Sequence, residues 1–193
     1  MRTRTGIYGG SFNPIHTGHL TLGRLLCEQG LVDELWFLVS PLNPFKQATN
    51  DLLDDQVRLH LVQLAVKDEP QLQASDFEMH LPRPSYMVYT LEKLREEYQD
   101  REFVLVIGAD NWLRFDQWYK SEEILKHHPI LVYPRPGYEI DPSTLPNGVT
   151  LTDTPLIDIS STQIRNSIAQ GKFDGHSLPP QVWKEIKRQG YYK

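Results

Sequence analysis

The chain has 193 residues, 39% hydrophobic and 23% charged, with a formal net charge of −5. This is the composition of a globular protein with one sizeable core, and the acidic balance argues against nucleic-acid binding through a broad basic face. Cys27 is the single cysteine, which excludes an intrachain disulfide or a cysteine-rich metal site, and no apolar run reaches membrane-spanning length, so a cytoplasmic protein away from the membrane is expected.

The first predicted strand, 5–8, runs into Gly9, Gly10 and Ser11, read as a turn, and then into a helix over 17–28 with Thr17 as its expected N-cap. A helix start offers unpaired N–H groups and partial positive charge, a seat for an anion. His16 and His19, three apart, project to one side of that seat, and imidazole either donates a hydrogen bond or adds charge against phosphate. The nucleotide-binding fingerprints G-x-x-x-x-G-K-[ST] and G-x-G-x-x-G are absent from this turn, and the spacing of the histidines is not that of a zinc site.

A strand over 34–39 is followed by a helix over about 53–67, a strand over 72–74 and a helix over about 86–98. The continuously apolar FVLVI, 103–107, ends at Gly108 and Asp110, again where a strand meets a turn. Asp110 there suits a helix N-cap. A short helix over 121–126 ends near His127 and His128, read as a solvated helix end, before the strand 130–133. The stretch 134–148 reads as a surface loop, 149–151 as the last strand, and 161–169 and 181–188 as the last helices. Strand and helix alternate throughout. The expected fold is therefore α/β, a doubly wound, mostly parallel sheet with helices on both faces, in which ligands bind beyond the carboxyl ends of the strands. One domain spans 1–193, its helical C-terminal part from about 160 completing the site.

A second constellation is ISSTQIR, 159–165. Ser160, Ser161 or Thr162 caps the helix, and Arg165 lies one turn in, so hydroxyls, backbone donors and a guanidinium suited to phosphate oxygens come together. Taken alone, an ordinary N-cap with a surface arginine explains it as well.

Taken together, GGSFNPIHTGHL (9–20) and ISSTQIR resemble the nucleotidyltransferase superfamily with the HxGH signature, His16-Thr17-Gly18-His19. SPLNPFK (40–46), RPSYMVYTL (83–91), IGADNWLRFDQWY (107–119) and RPG (135–137) extend the similarity, over nearly the whole chain, to the bacterial nicotinate-nucleotide adenylyltransferase family. The resemblance implies a Rossmann-like fold and adenylyl transfer from ATP to nicotinate mononucleotide by direct in-line attack, releasing pyrophosphate, with Mg²⁺ bridging the ATP phosphates. It implies roles for His16, His19, Lys46 and Arg165 on the reacting phosphates. Gly9, Gly10, Ser11, Phe12, Gly108, Asp110, Ile159, Ser160, Ser161 and Thr162 would bind ATP. Asn43, Tyr86, Thr90, Trp118, Tyr119 and Arg135 would bind the mononucleotide, with the Trp118–Tyr119 pair stacking on the pyridine ring. Asn13, Phe45, Met87 and Tyr89 depart from the family's usual aspartate, histidine, threonine and aspartate. Nicotinamide mononucleotide or phosphopantetheine as acceptor, and a nucleotide-binding module without catalysis, are the rival readings; nucleic acid is not an expected partner, and self-association is left open.

Overall fold

In the computed structural model, which describes residues 2–41 and 52–193, six parallel strands form one sheet in the order β3-β2-β1-β4-β5-β6. The strands are β1 (Thr3–Gly10), β2 (Glu34–Val39), β3 (Leu72–Ser75), β4 (Arg101–Gly108), β5 (Ile130–Tyr133) and β6 (Val149–Leu151). The helices are α1 (Thr17–Glu28), α2 (Asp55–Val66), α3 (Met87–Glu97), α4 (Ala109–Trp112), α5 (Ser121–His127), α6 (Ser161–Ala169) and α7 (Pro180–Gln189). No helix among the described residues is long and apolar enough to cross a membrane.

The sheet is covered on both sides because its strands are apolar on both. Along β2, Leu35, Phe37 and Val39 join the core shared with α1, α2, α6 and α7, while Trp36 and Leu38 face the core shared with α3 and α5. Each such aliphatic or aromatic side chain taken from water contributes about 1.5–3 kcal/mol. α2 begins after Asp54, whose carboxylate accepts from Gln56 N–H at 2.9 Å; the helix is therefore shorter at its start than apolar periodicity alone suggests. α7 stops at Gly190, whose φ of 71° is open to glycine at no steric cost.

The chain winds outward from β1 through β2 to β3, then returns to the other side of β1 with β4 and continues outward to β6. The reversal falls between β1 and β4, so Gly10 and Gly108, their last residues, border the crevice where parallel sheets of this kind hold ligands.

Two local readings change. Gly9 and Gly10 do not turn: they are paired in the sheet with Leu38 and Val39. Their lack of a side chain serves close approach, since a Cβ on Gly9 would stand 3.0 Å from Met87 Cε and one on Gly10 3.0 Å from the Phe12 ring. The left-handed residue of the turn is Phe12, at φ 46°. His128 is not solvated; it is 8% exposed, and Nδ1 lies 3.2 Å from the Phe103 carbonyl oxygen. Its place just before β5 carries it against Phe103 of β4, and burial lowers its pKa.

Candidate active site

The turn after β1 is built as a set of interlocked anchors. Arg58, on α2 and fully buried, donates to the carbonyls of Ser11 (2.5 Å), Ser40 (3.0 Å) and Leu53 (2.8 Å). One guanidinium thus holds the ends of β1 and β2 to the start of α2, which its planar fork of donors suits. Asn13 Oδ1 accepts from Leu53 N–H and from the Tyr192 hydroxyl, at 3.2 and 2.8 Å. An amide therefore holds this turn from both sides, and Tyr192 is drawn into the site.

The N-cap of α1 is His16 rather than Thr17. Its backbone N–H donates to His19 Nδ1 at 3.1 Å, and the two rings stack with centroids 3.6 Å apart. With Nδ1 an acceptor, the His19 ring carries its proton on Nε2. His16 is 4% exposed, and burial first, then the positive charge of Arg135, lowers its pKa from 6.5 to about 3. It is therefore neutral near pH 7, and its buried Nδ1 has no hydrogen-bond partner among the described residues. The pH consequence has a definite sign. The unfolded chain binds a proton on this ring below about pH 6.5 and the folded chain only near pH 3, so stability falls as pH drops through that interval. Between pH 6.5 and 5, urea melts should show wild type losing about 2 kcal/mol more than His16→Gln. Equal losses would contradict a neutral buried ring.

The distant ISSTQIR segment comes to this turn. Ser161 Oγ donates to the Pro14 carbonyl and Arg165 Nη1 to the Asn13 carbonyl, each at 2.9 Å. Ser160 is the N-cap of α6, so Ser161 and Thr162 open that helix with the half-buried Ile159 just before it. Thr17 N–H and Oγ1 reach the Ser177 carbonyl at 3.0 and 3.3 Å, fastening α1 to the segment beyond α6. Gly18 lies at the tightest point, where a Cβ would stand 2.6 Å from Ile157 Cγ2 and 3.1 Å from the His16 ring. Two helix N-termini, α1 and α6, thus share one junction with His16, His19 and Arg165.

At the end of β4, Gly108 caps α4, and a Cβ there would fall 2.5 Å from Asp110 Oδ1. That carboxylate oxygen is buried with no hydrogen-bond partner among the described residues, and Arg135 Nε is 3.7 Å away, an ion pair beyond hydrogen-bond length. An acceptor poised in this way suits a hydroxyl-bearing ligand.

A cavity of about 320 Å³ lies against the ends of β1 and β4, lined by Gly9, Gly10, Gly108, Tyr86, Trp118 and Tyr119 among others. Trp118 is half-buried and packs on Phe115 at 5.2 Å, while Tyr119 is 46% exposed and lies 4.7 Å from Tyr86. The aromatic residues therefore form one wall. Thr90 does not line the cavity: it is fully buried and donates to Glu78 Oε1 at 3.0 Å. Phe12 likewise packs in the core, its ring 5.1 Å from that of His19, and does not line the cavity. Asn43, Phe45 and Lys46 lie outside the described residues.

Sequence reasoning missed four residues here. Glu78, 3% exposed, lines the cavity, accepts from Ser40 Oγ at 2.7 Å as well as from Thr90, and has its pKa raised by burial. Tyr8 and Tyr133 line it too, and Arg58 holds its rim. Tyr8 and Tyr133 carried a weak signal, each ending an apolar strand run just before a glycine or proline; Glu78 and Arg58 carried none, because only the folded chain shows what surrounds them.

The cytidylyltransferase-like family model matches residues 7–167. A protein of Bacteroides fragilis named probable nicotinate-nucleotide adenylyltransferase is 53% identical over 188 residues, covering 97% of this chain and 93% of its own. One of the same name from Flavobacterium johnsoniae is 43% identical, covering 98% and 99%. In fold the chain is similar to the Plasmodium falciparum nicotinic acid mononucleotide adenylyltransferase solved with NaAD, at a TM-score of 0.83 and 19% identity, covering 98% and 97% of the two chains.

Proposed function

We propose, since this chain belongs to the cytidylyltransferase-like family, that it is a nicotinate-nucleotide adenylyltransferase, joining ATP to nicotinate mononucleotide with release of pyrophosphate. The observation that carries the reading is the junction of α1 and α6, where Ser161 and Arg165 bond the backbone of the turn that bears the two histidines. Relatives at 53% and 43% identity carry the same name over nearly their full length.

In this reaction a phosphate oxygen of the mononucleotide attacks the α-phosphorus of ATP and the pyrophosphate leaves on the opposite side. Both nucleophile and leaving group belong to the substrates, so the protein supplies position and charge stabilisation. His19, through Nε2–H, donates to the α-phosphate. His16 as a neutral donor, Ser161 and Arg165 hold the departing pyrophosphate, assisted by the N–H groups at the starts of α1 and α6. Lys46, by family resemblance, adds positive charge to the same phosphates.

Asp110 accepts from the ATP ribose hydroxyls, its distance from Arg135 leaving that oxygen for a ligand. Gly9, Gly10 and Gly108 let backbone and nucleotide approach, and Ser11, Ile159, Ser160 and Thr162 complete the ATP seat. Trp118 and Tyr119 supply the face for the pyridine ring, with Tyr86, Arg135 and Asn43 beside it; Thr90 acts through Glu78. Among the described residues no three His, Cys, Asp or Glu side chains are grouped to hold a metal. Mg²⁺ enters as part of the Mg·ATP substrate, coordinated by phosphate and water.

Pyrophosphate release from Mg·ATP should be measured with nicotinate mononucleotide, nicotinamide mononucleotide and phosphopantetheine in turn. Release is expected to be fastest with the acid. No release with either pyridine nucleotide would defeat the function, and faster turnover of the amide would defeat the acid preference.

A further inference from the structure

Tyr8 in β1 and Tyr133 in β5 belong to strands separated in the sheet by β4, yet their hydroxyls meet at 2.8 Å. Each residue is 8% exposed, and both line the cavity of about 320 Å³. The two phenols carry two O–H protons between them, and their mutual bond uses one. Neither oxygen has a further hydrogen bond among the described residues, so one proton remains without an acceptor among them.

The surroundings make that proton a donor. Burial is the first cause raising both phenol pKa values, so both stay protonated at neutral pH. The neighbours on the histidine side are aromatic: the Tyr8 ring meets those of Phe12, Phe37 and His19 at 5.7 Å each. Phenylalanine would fill this space without burying a hydroxyl, which costs free energy unless it is hydrogen-bonded. A pair with one donor left over, facing a cavity, is explained by a ligand acceptor.

We propose that the Tyr8–Tyr133 hydroxyl pair contacts substrate, donating its unshared proton to a phosphate oxygen of the bound pyridine mononucleotide. The inference rests on the functional reading above. The pair lies on the histidine side of the cavity, next to Gly9, while Trp118 and Tyr119 form the aromatic wall. A mononucleotide with its ring on that wall and its phosphate turned toward His19 brings a charged acceptor past these hydroxyls. A hydrogen bond to a charged group is also the stronger kind.

The test uses Tyr8→Phe, Tyr133→Phe and the double variant, with steady-state kinetics in each substrate and thermal melts. Each single change removes one oxygen and keeps the ring, so the single variants decide the matter even if the double one does not fold. At least one of them is expected to lower kcat/KM for the mononucleotide about tenfold. The double variant should be no worse than the weaker single, because the two hydroxyls act as one unit, and KM for ATP should stay within about twofold. Wild-type protein that releases no pyrophosphate with the mononucleotide overturns the functional reading itself. With wild type active, unaltered kinetics in both single variants, or a loss confined to KM for ATP, overturns the hydroxyl contact alone.

Discussion

His19→Ala is expected to keep its fold and to lose turnover by about 100-fold to 1000-fold, the loss typical when one preorganised donor to a developing charge is removed. The structural cost falls on stability and not on turnover. Nδ1 of His19 accepts one backbone N–H, that of His16, and an unmade hydrogen bond of that kind costs about 1–3 kcal/mol. The ring is only half-buried, so no large cavity is left. Circular dichroism and a melt establish the fold, and kcat at saturating Mg·ATP and mononucleotide then reads the chemistry. Turnover within about tenfold of wild type in a folded variant would remove His19 from the transition state.

Gly18→Ala is expected to damage both stability and catalysis. On helix propensity alone the change should stabilise α1 by about 1 kcal/mol. The surroundings reverse that sign. The new Cβ would stand 2.6 Å from Ile157 Cγ2 on the approach to α6 and 3.1 Å from the His16 ring. Isoleucine is branched at Cβ and holds a restricted χ1, so its methyl does not swing aside without backbone movement. Overpacking of this kind costs about 1–3 kcal/mol. The displacement also has a direction, driving apart the starts of α1 and α6, which on the proposed function hold one triphosphate. The expected outcome is a lowered melting temperature together with a kcat/KM for ATP reduced about 100-fold, since misplacement of about 1 Å has that consequence in a positioned reaction. A variant as stable and active as wild type would mean that this junction is loose.

Much of this architecture was legible in the sequence. Doubly covered strands such as β4 and β5 read as unbroken apolar runs, and amphipathic spacing marked the longer helices, so the α/β alternation was visible in its period. What periodicity does not encode is what a residue meets across the fold. Gly9 and Gly10 look like turn residues because glycine is common in turns, but here the absence of a Cβ makes room for Met87 and Phe12. His128 looks solvated at a helix end until β5 carries it inward, toward the Phe103 carbonyl.

The site divides the same way. His16, His19, Ser161 and Arg165 stood out as candidates because helix starts gather phosphate donors locally, but only the family resemblance joined the two segments into one expected site. Their meeting across 147 and 152 positions of chain, Pro14 to Ser161 and Asn13 to Arg165, required the fold. The resemblance places Thr90 against the substrate, yet its hydroxyl is turned to Glu78, the residue that lines the cavity. Glu78 stands in FEMH, where nothing local distinguishes a buried acid from a solvated one.

The central claim is that these side chains position and stabilise without forming a bond to the nucleotide, so that one oxygen displaces another at phosphorus in a single step. It is tested most directly by the stereochemical course, using ATP made chiral at the α-phosphorus by sulfur substitution and determining the configuration of the dinucleotide formed. Inversion is the predicted result; retention, which requires two displacements and an adenylylated protein between them, would contradict it.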